Sequence, residues 1–239
     1  MQTTKTSGDQ VALNDERIVQ PFSRRRFLGY VGATSALLAT AASCKKDKTN
    51  TTNTGVDLGS GDVGILNYAY ALEQLEAAFY LQVIATPYSG ISALEMEYLT
   101  DIRNHEVAHR EFFKAAITAA APSSVIPGLE VNFSSIDFTN RTSVLGTAKA
   151  FEDLGVTAYN GAGKLISTTG NGPTYLTLAG KIVSVEARHA ALIAELITPN
   201  TFAATTDANG LDGARTPAEV LAIAGTYIKT KINASNLPS

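Results

Sequence analysis

Between residues 62 and 197 apolar side chains return in steps of three and four, the spacing that stacks them along one face of an α-helix. Four long helices are predicted from it. The first runs from Asp62, read as its N-cap, to about residue 84, where Thr86-Pro87-Tyr88-Ser89-Gly90 breaks the pattern. The second covers about 92–120 and is closed by Ala121-Pro122; the third covers about 142–166 and ends at Ser167-Thr168-Thr169-Gly170. The fourth opens on Pro173, where a missing N–H does least harm, and stops before Pro199. Residues 122–142 have no sustained 3.6 period, and 131–133 and 136–138 look extended; a crossover along a helical bundle needs that length. Farther on, Thr216-Pro217-Ala218-Glu219 joins a capping box to a Pro at the first helical position. It opens a short fifth helix with the stripe Val220, Leu221, Ala224, Tyr227, Ile228, expected to pack on the bundle. Asp207 and Asp212, in the loop before it, are assigned to turn chemistry.

Polar residues interrupt these stripes in a regular way. One face of the second helix reads Leu99, Ile102, Glu106, His109, Phe113, Ala116, and one face of the fourth reads Ala179, Ile182, Glu186, His189, Ile193, Leu196. A carboxylate and an imidazole inside an apolar face cost several kcal/mol unless something pairs with them. A Glu-x-x-His pair facing inward on a bundle is a metal-ligand arrangement. The first and third helices match as well: Leu66, Ala69, Glu73, Glu76, Tyr80, Val83 against Leu145, Ala148, Glu152, Gly155, Tyr159, Ala162, every position offset by 79 residues, while Glu186 follows Glu106 by 80. Two helical hairpins are thus repeats, each giving one Glu, a Tyr seven residues later, and a Glu-x-x-His. At about 1.5 Å of rise per residue, Glu73 and Glu106 stand at equal heights on either side of their turn, as do Glu152 and Glu186, so all six residues fall in one layer. Four carboxylates and two neutral imidazoles carry −4, which two divalent cations balance. Oxygen and imidazole donors suit iron and manganese, and zinc would also bind.

Composition removes other readings. The chain holds a single Cys in 239 residues, which excludes an internal disulfide and a thiolate-built zinc or iron–sulfur site. The net charge is −3; five basic and three acidic residues fall within 1–44, leaving 14 Lys+Arg against 19 Asp+Glu beyond them, so no basic surface for nucleic acid is expected.

The helix pattern and six ligand-type residues resemble the ferritin-like di-metal carboxylate proteins over residues 62–197, and the tail resembles an exported, desiccation-related subgroup. The resemblance implies an all-α, ferritin-like four-helix bundle of two repeated hairpins with a long crossover and a short C-terminal helix. It implies Glu73, Glu106, His109, Glu152, Glu186 and His189 as ligands of two divalent metal ions, with Glu106 and Glu186 as bridges. Tyr80 and Tyr159 match tyrosines that stand behind the ligands in such proteins. Glu76, whose repeat partner is Gly155, is an additional candidate ligand, with an interhelical hydrogen bond as the alternative. As a fifth carboxylate it would favour the oxidised metals and hence peroxide over dioxygen. Relatives that are fast ferroxidases often carry an Asp just before each Glu-x-x-His to orient a ligand histidine. Here those positions are His105 and Val185. His105 points about 100° away from Glu106 and reads as a helix-interface residue rather than a ligand.

Ser23-Arg24-Arg25-Arg26-Phe27-Leu28 followed by a mildly apolar run to Ser43 resembles a twin-arginine export signal, and Ala41-Ala42-Ser43-Cys44 resembles a lipoprotein cleavage site with Cys44 acylated. The expected organisation is a signal over 1–44, a flexible tether over 45–61 with nothing to pack, and a ferritin-like domain over 62–239, of which 198–239 is an extension. The protein is expected to be periplasmic or membrane-anchored; a homodimer is compatible with this, and a lipid anchor and tether favour a membrane surface over a closed mineral-storing shell. Three functions follow: an enzyme reacting with hydrogen peroxide or dioxygen, a non-catalytic metal-binding or stress-protective surface protein, and a purely structural bundle.

Overall fold

The computed structural model describes residues 55–239. The signal, Cys44 and most of the expected tether lie outside the described residues. The elements are β1 (Val56–Asp57), α1 (Gly61–Ala85), α2 (Ala93–Ala120), a 3₁₀ turn (Pro122–Ser124), α3 (Arg141–Gly163), α4 (Gly172–Ile197), α5 (Pro217–Ala224) and β2 (Ile232–Asn233). The α1–α2 hairpin packs on the α3–α4 hairpin, the four-helix arrangement expected from the periodicity. Among the described residues no helix is long and apolar enough to cross a membrane.

The helix ends follow their capping chemistry. Ser92 and Glu95 close a capping box at the start of α2, and Thr216 and Glu219 close the one expected at α5. Glu95 also accepts from Arg141 Nε at 2.8 Å, and Arg141 donates to the Leu196 carbonyl, so one guanidinium joins the start of α3 to both neighbours. Asp62 is not the N-cap of α1. Ser60 holds that position, and the Asp62 carboxylate accepts from the Ser167 amide and hydroxyl at 2.7 and 2.6 Å, pinning the α3–α4 turn instead.

α1 is buried nearly all round, including Asn67, Gln74, Glu73 and Glu76. Its outer side is covered by the crossover, and two amides hold that cover in place. Asn67 donates to the Leu58 and Ser124 carbonyls and accepts from Ile126 N; Gln74 accepts from Leu129 N at 2.8 Å. Buried amides paired with otherwise orphaned loop backbone satisfy both partners. The C-terminal extension closes the same side: Val131 bridges Ile228, and the Tyr227 ring meets Phe151 edge-on at 4.8 Å.

The tether ends earlier than the sequence pattern suggests. Val56 and Asp57 pair in parallel with Ile232 and Asn233, and Leu58 is fully buried. A two-residue strand has no periodicity to read, and its partner lies at the far end of the chain, so local sequence carries no sign of it.

Candidate metal centre

Each hairpin sends one Glu and one Glu-x-x-His into the middle of the bundle, and the structure brings all six residues together. The four carboxylates of Glu73, Glu106, Glu152 and Glu186 have no solvent exposure, and His109 and His189 are buried. His109 Nδ1 lies 3.5 Å from Glu73 Oε2, 3.6 Å from Glu106 Oε2 and 2.8 Å from Glu186 Oε1. His189 Nδ1 lies 2.9 Å from Glu106 Oε1, 3.4 Å from Glu152 Oε2 and 3.7 Å from Glu186 Oε2. These approaches lack hydrogen-bond geometry. All eight atoms are buried without a hydrogen-bond partner.

They divide into two quartets, Glu73, Glu106, His109, Glu186 and Glu106, Glu152, Glu186, His189, each with donor atoms within 4.8 Å of one another. Glu106 and Glu186 belong to both, one oxygen to each. Three carboxylate oxygens and one imidazole nitrogen per quartet is a donor set for a hard or borderline divalent cation, so the residues fit metal ions. Eight orphaned polar atoms in one core layer are a departure from the rule that buried polar groups are paired, and together they could hold metal ions.

The carboxylate oxygens that face away from the quartets are held by tyrosines. Tyr80 of α1 donates to Glu152 Oε1 on α3, and Tyr159 of α3 donates to Glu73 Oε1 on α1. Each tyrosine therefore steadies a carboxylate of the other hairpin. Burial, and then the adjoining carboxylates, push both phenols well up, so they remain proton donors.

Without cations the layer holds protons. Burial disfavours charge on His109 and His189, but the facing carboxylates override it and push both imidazoles up to about 12. Burial raises Glu152 to about 8 and Glu73 well above the usual carboxylate range, while His109 and His189 overcome burial at Glu106 and bring it down to about 2. Protons thus compete for these donors at neutral pH.

Glu76 does not join either quartet. Its carboxyl lies against Gly155, where an added Cβ would stand 3.1 Å from Oε1, so the missing side chain in the second hairpin is the space that Glu76 occupies. Burial, then repulsion from four neighbouring carboxylates, push its pKa well up.

His105 has a more specific contact than a place at a helix interface. Its Nδ1 lies 2.9 Å from Nε2 of His189, the nitrogen opposite the quartet, with the two rings 9° from parallel. The signal for this was its position one residue before a Glu-x-x-His.

The chain matches the model of the ferritin-like domain family over residues 61–199. It belongs to this family. Among curated proteins none matches the chain. The match spans both hairpins of the ferritin-like domain, from the start of α1 to just past α4, and stops before the extension that carries α5. Asp207, in that extension, accepts from the Asn209 and Leu211 amides, the turn chemistry expected of it.

Proposed function

We propose that this ferritin-like domain holds two divalent ions, iron or manganese, bridged by Glu106 and Glu186, and reacts with a small oxidant, hydrogen peroxide or dioxygen. The observation behind it is the set of eight buried, unpartnered donor atoms that fall into two equal quartets. Such ions supply reversible one-electron steps when bound. The chain's own residues do the rest. Glu73 and His109 would complete one site and Glu152 and His189 the other, with Tyr80 and Tyr159 fixing the carboxylates that serve one ion each. A cavity of about 20 Å³ lined by Leu72, Phe113 and Tyr159 has room for something near the size of one water molecule.

Metal analysis of the protein purified without chelator tests the reading. Two ions per chain are expected, falling by at least one in Glu106→Ala and in Glu186→Ala, because each carboxylate serves both sites. A wild-type chain that binds no metal overturns the proposal. Bound metal with no turnover of peroxide, dioxygen or Fe(II) assigns the centre to the non-catalytic, protective role.

The same proposal places the protein outside the cytoplasm, exported by the twin-arginine route and anchored through acylated Cys44. Arg24→Lys with Arg25→Lys should keep it in the cytoplasm and Cys44→Ser should free it from membranes. Unchanged fractionation of both variants removes the anchor.

A further inference from the structure

The two hairpins are repeats, yet the residues behind their ligand histidines differ. His105 stands one residue before the first Glu-x-x-His, and its repeat equivalent is Val185. The His105 imidazole crosses from α2 to α4 and meets Nε2 of His189 at 2.9 Å. Among the described residues no side chain hydrogen-bonds Nε2 of His109. One ligand histidine is therefore held from behind by a second imidazole, and the other is not.

The chemistry of this contact has one consistent proton arrangement. An imidazole that gives Nδ1 to a cation must carry its proton on Nε2. Nε2 of His189 then donates to Nδ1 of His105, and the proton of His105 sits on its own Nε2, at the exposed edge of the helix pair. A partner on the far nitrogen fixes both the tautomer and the ring's angle, and losing such a partner typically lowers metal affinity about 10- to 100-fold. A valine cannot accept a hydrogen bond, so the His109 ring has no equivalent restraint from Val185.

We propose that His105 is a positioning residue for His189, holding its ring so that Nδ1 faces the Glu106, Glu152, Glu186 quartet, and that this one contact makes the two cation sites unequal, the His189 site filling first. The inference rests on the two-ion reading above. It concerns only which site is tighter and why.

Co²⁺ titration of the full chain, followed by calorimetry and by proton NMR of the exchangeable imidazole N–H signals shifted by the bound ion, tests it. In wild type two binding steps are expected, about tenfold or more apart. One shifted N–H signal should exchange slowly with solvent, that of His189, and one rapidly, that of His109. His105→Val, which copies the second repeat, should weaken the tighter step about 10- to 100-fold, merge the two steps and lose the slow signal. His105→Gln keeps an acceptor and should preserve both. Because His105 is exposed, the metal-free variants are expected to melt within a few degrees of wild type. Two steps and a slow signal retained in His105→Val overturn the role of His105 while leaving the two-ion centre standing. Equal losses in His105→Val and His105→Gln also overturn it, since a packing contact rather than an acceptor would be at work. A wild type that binds no Co²⁺ overturns the two-ion reading, and this inference with it.

Discussion

The α1–α2 and α3–α4 hairpins supply the same four kinds of functional residue in the same order, at spacings that differ by a single residue, and they differ where the centre departs from two-fold symmetry. The first hairpin alone carries Glu76 and His105; the second has Gly155 and Val185 in their places. Both extra groups of the first hairpin act on the second: the Glu76 carboxyl fills the space beside Gly155, and His105 reaches His189. The donors themselves remain paired, with Tyr80 on Glu152 mirrored by Tyr159 on Glu73. The repeat thus sets which atoms could hold cations, and its broken positions set how the two halves differ.

The largest effect expected from disturbing the shared layer is that of pH with and without metal. In the metal-free chain His109 and His189 are raised to about 12 and Glu152 to about 8, so from about pH 5 upward the folded state binds more protons than the unfolded one. The contribution of the two imidazoles is therefore full below the unfolded imidazole range and that of Glu152 below the unfolded carboxylate range, and each is lost as pH rises through the folded value. Below that window the sign reverses at Glu106, whose lowered pKa of about 2 adds stability that is lost on acidification. Cations replace the protons, so loading should release protons and stabilise more strongly at higher pH. Melting curves from pH 5 to 9, with and without chelator, should diverge as pH rises. Parallel curves would mean that no cation occupies the layer.

A smaller effect tests the mirrored half of the comparison. Tyr80→Phe and Tyr159→Phe each remove one hydrogen bond to a buried carboxylate, at a cost of about 1 to 3 kcal/mol. Chemical denaturation of the metal-loaded chains should give similar losses for the two. Losses that differ several-fold would show that the hairpins are unequal in their carboxylates as well as in their histidines.

The smallest effect belongs to the broken position. Gly155→Ala brings a Cβ to 3.1 Å from Glu76 Oε1, so the usual helix gain of about 0.5 to 1 kcal/mol should not appear. With Glu76→Ala in the background the gain should return, a coupling of about 1 kcal/mol in a double-mutant cycle. Metal stoichiometry should stay at two in Glu76→Gln. A lost ion there would make Glu76 a ligand after all.

The four long helices, the crossover, the capping box at Thr216 and the six residues of the layer were all legible in the linear chain. All of these rest on local spacing: a 3.6 period fixes which side chains share a face, and a turn fixes the height at which two faces meet. The doubled Glu-x-x-His made the layer legible, since a second copy at an offset of 80 is not expected of an ordinary apolar stripe. Tertiary structure alone decided the rest. That Asp62 serves the α3–α4 turn, that Val56 and Asp57 pair with Ile232 and Asn233, that Glu76 lies beside Gly155 outside both quartets, and that His105 backs His189 are all contacts between distant parts of the chain. Periodicity tells which way a side chain leaves its own helix. It does not tell what waits on the neighbouring one, because interaxial packing and the rotamers it allows are set by the whole core at once.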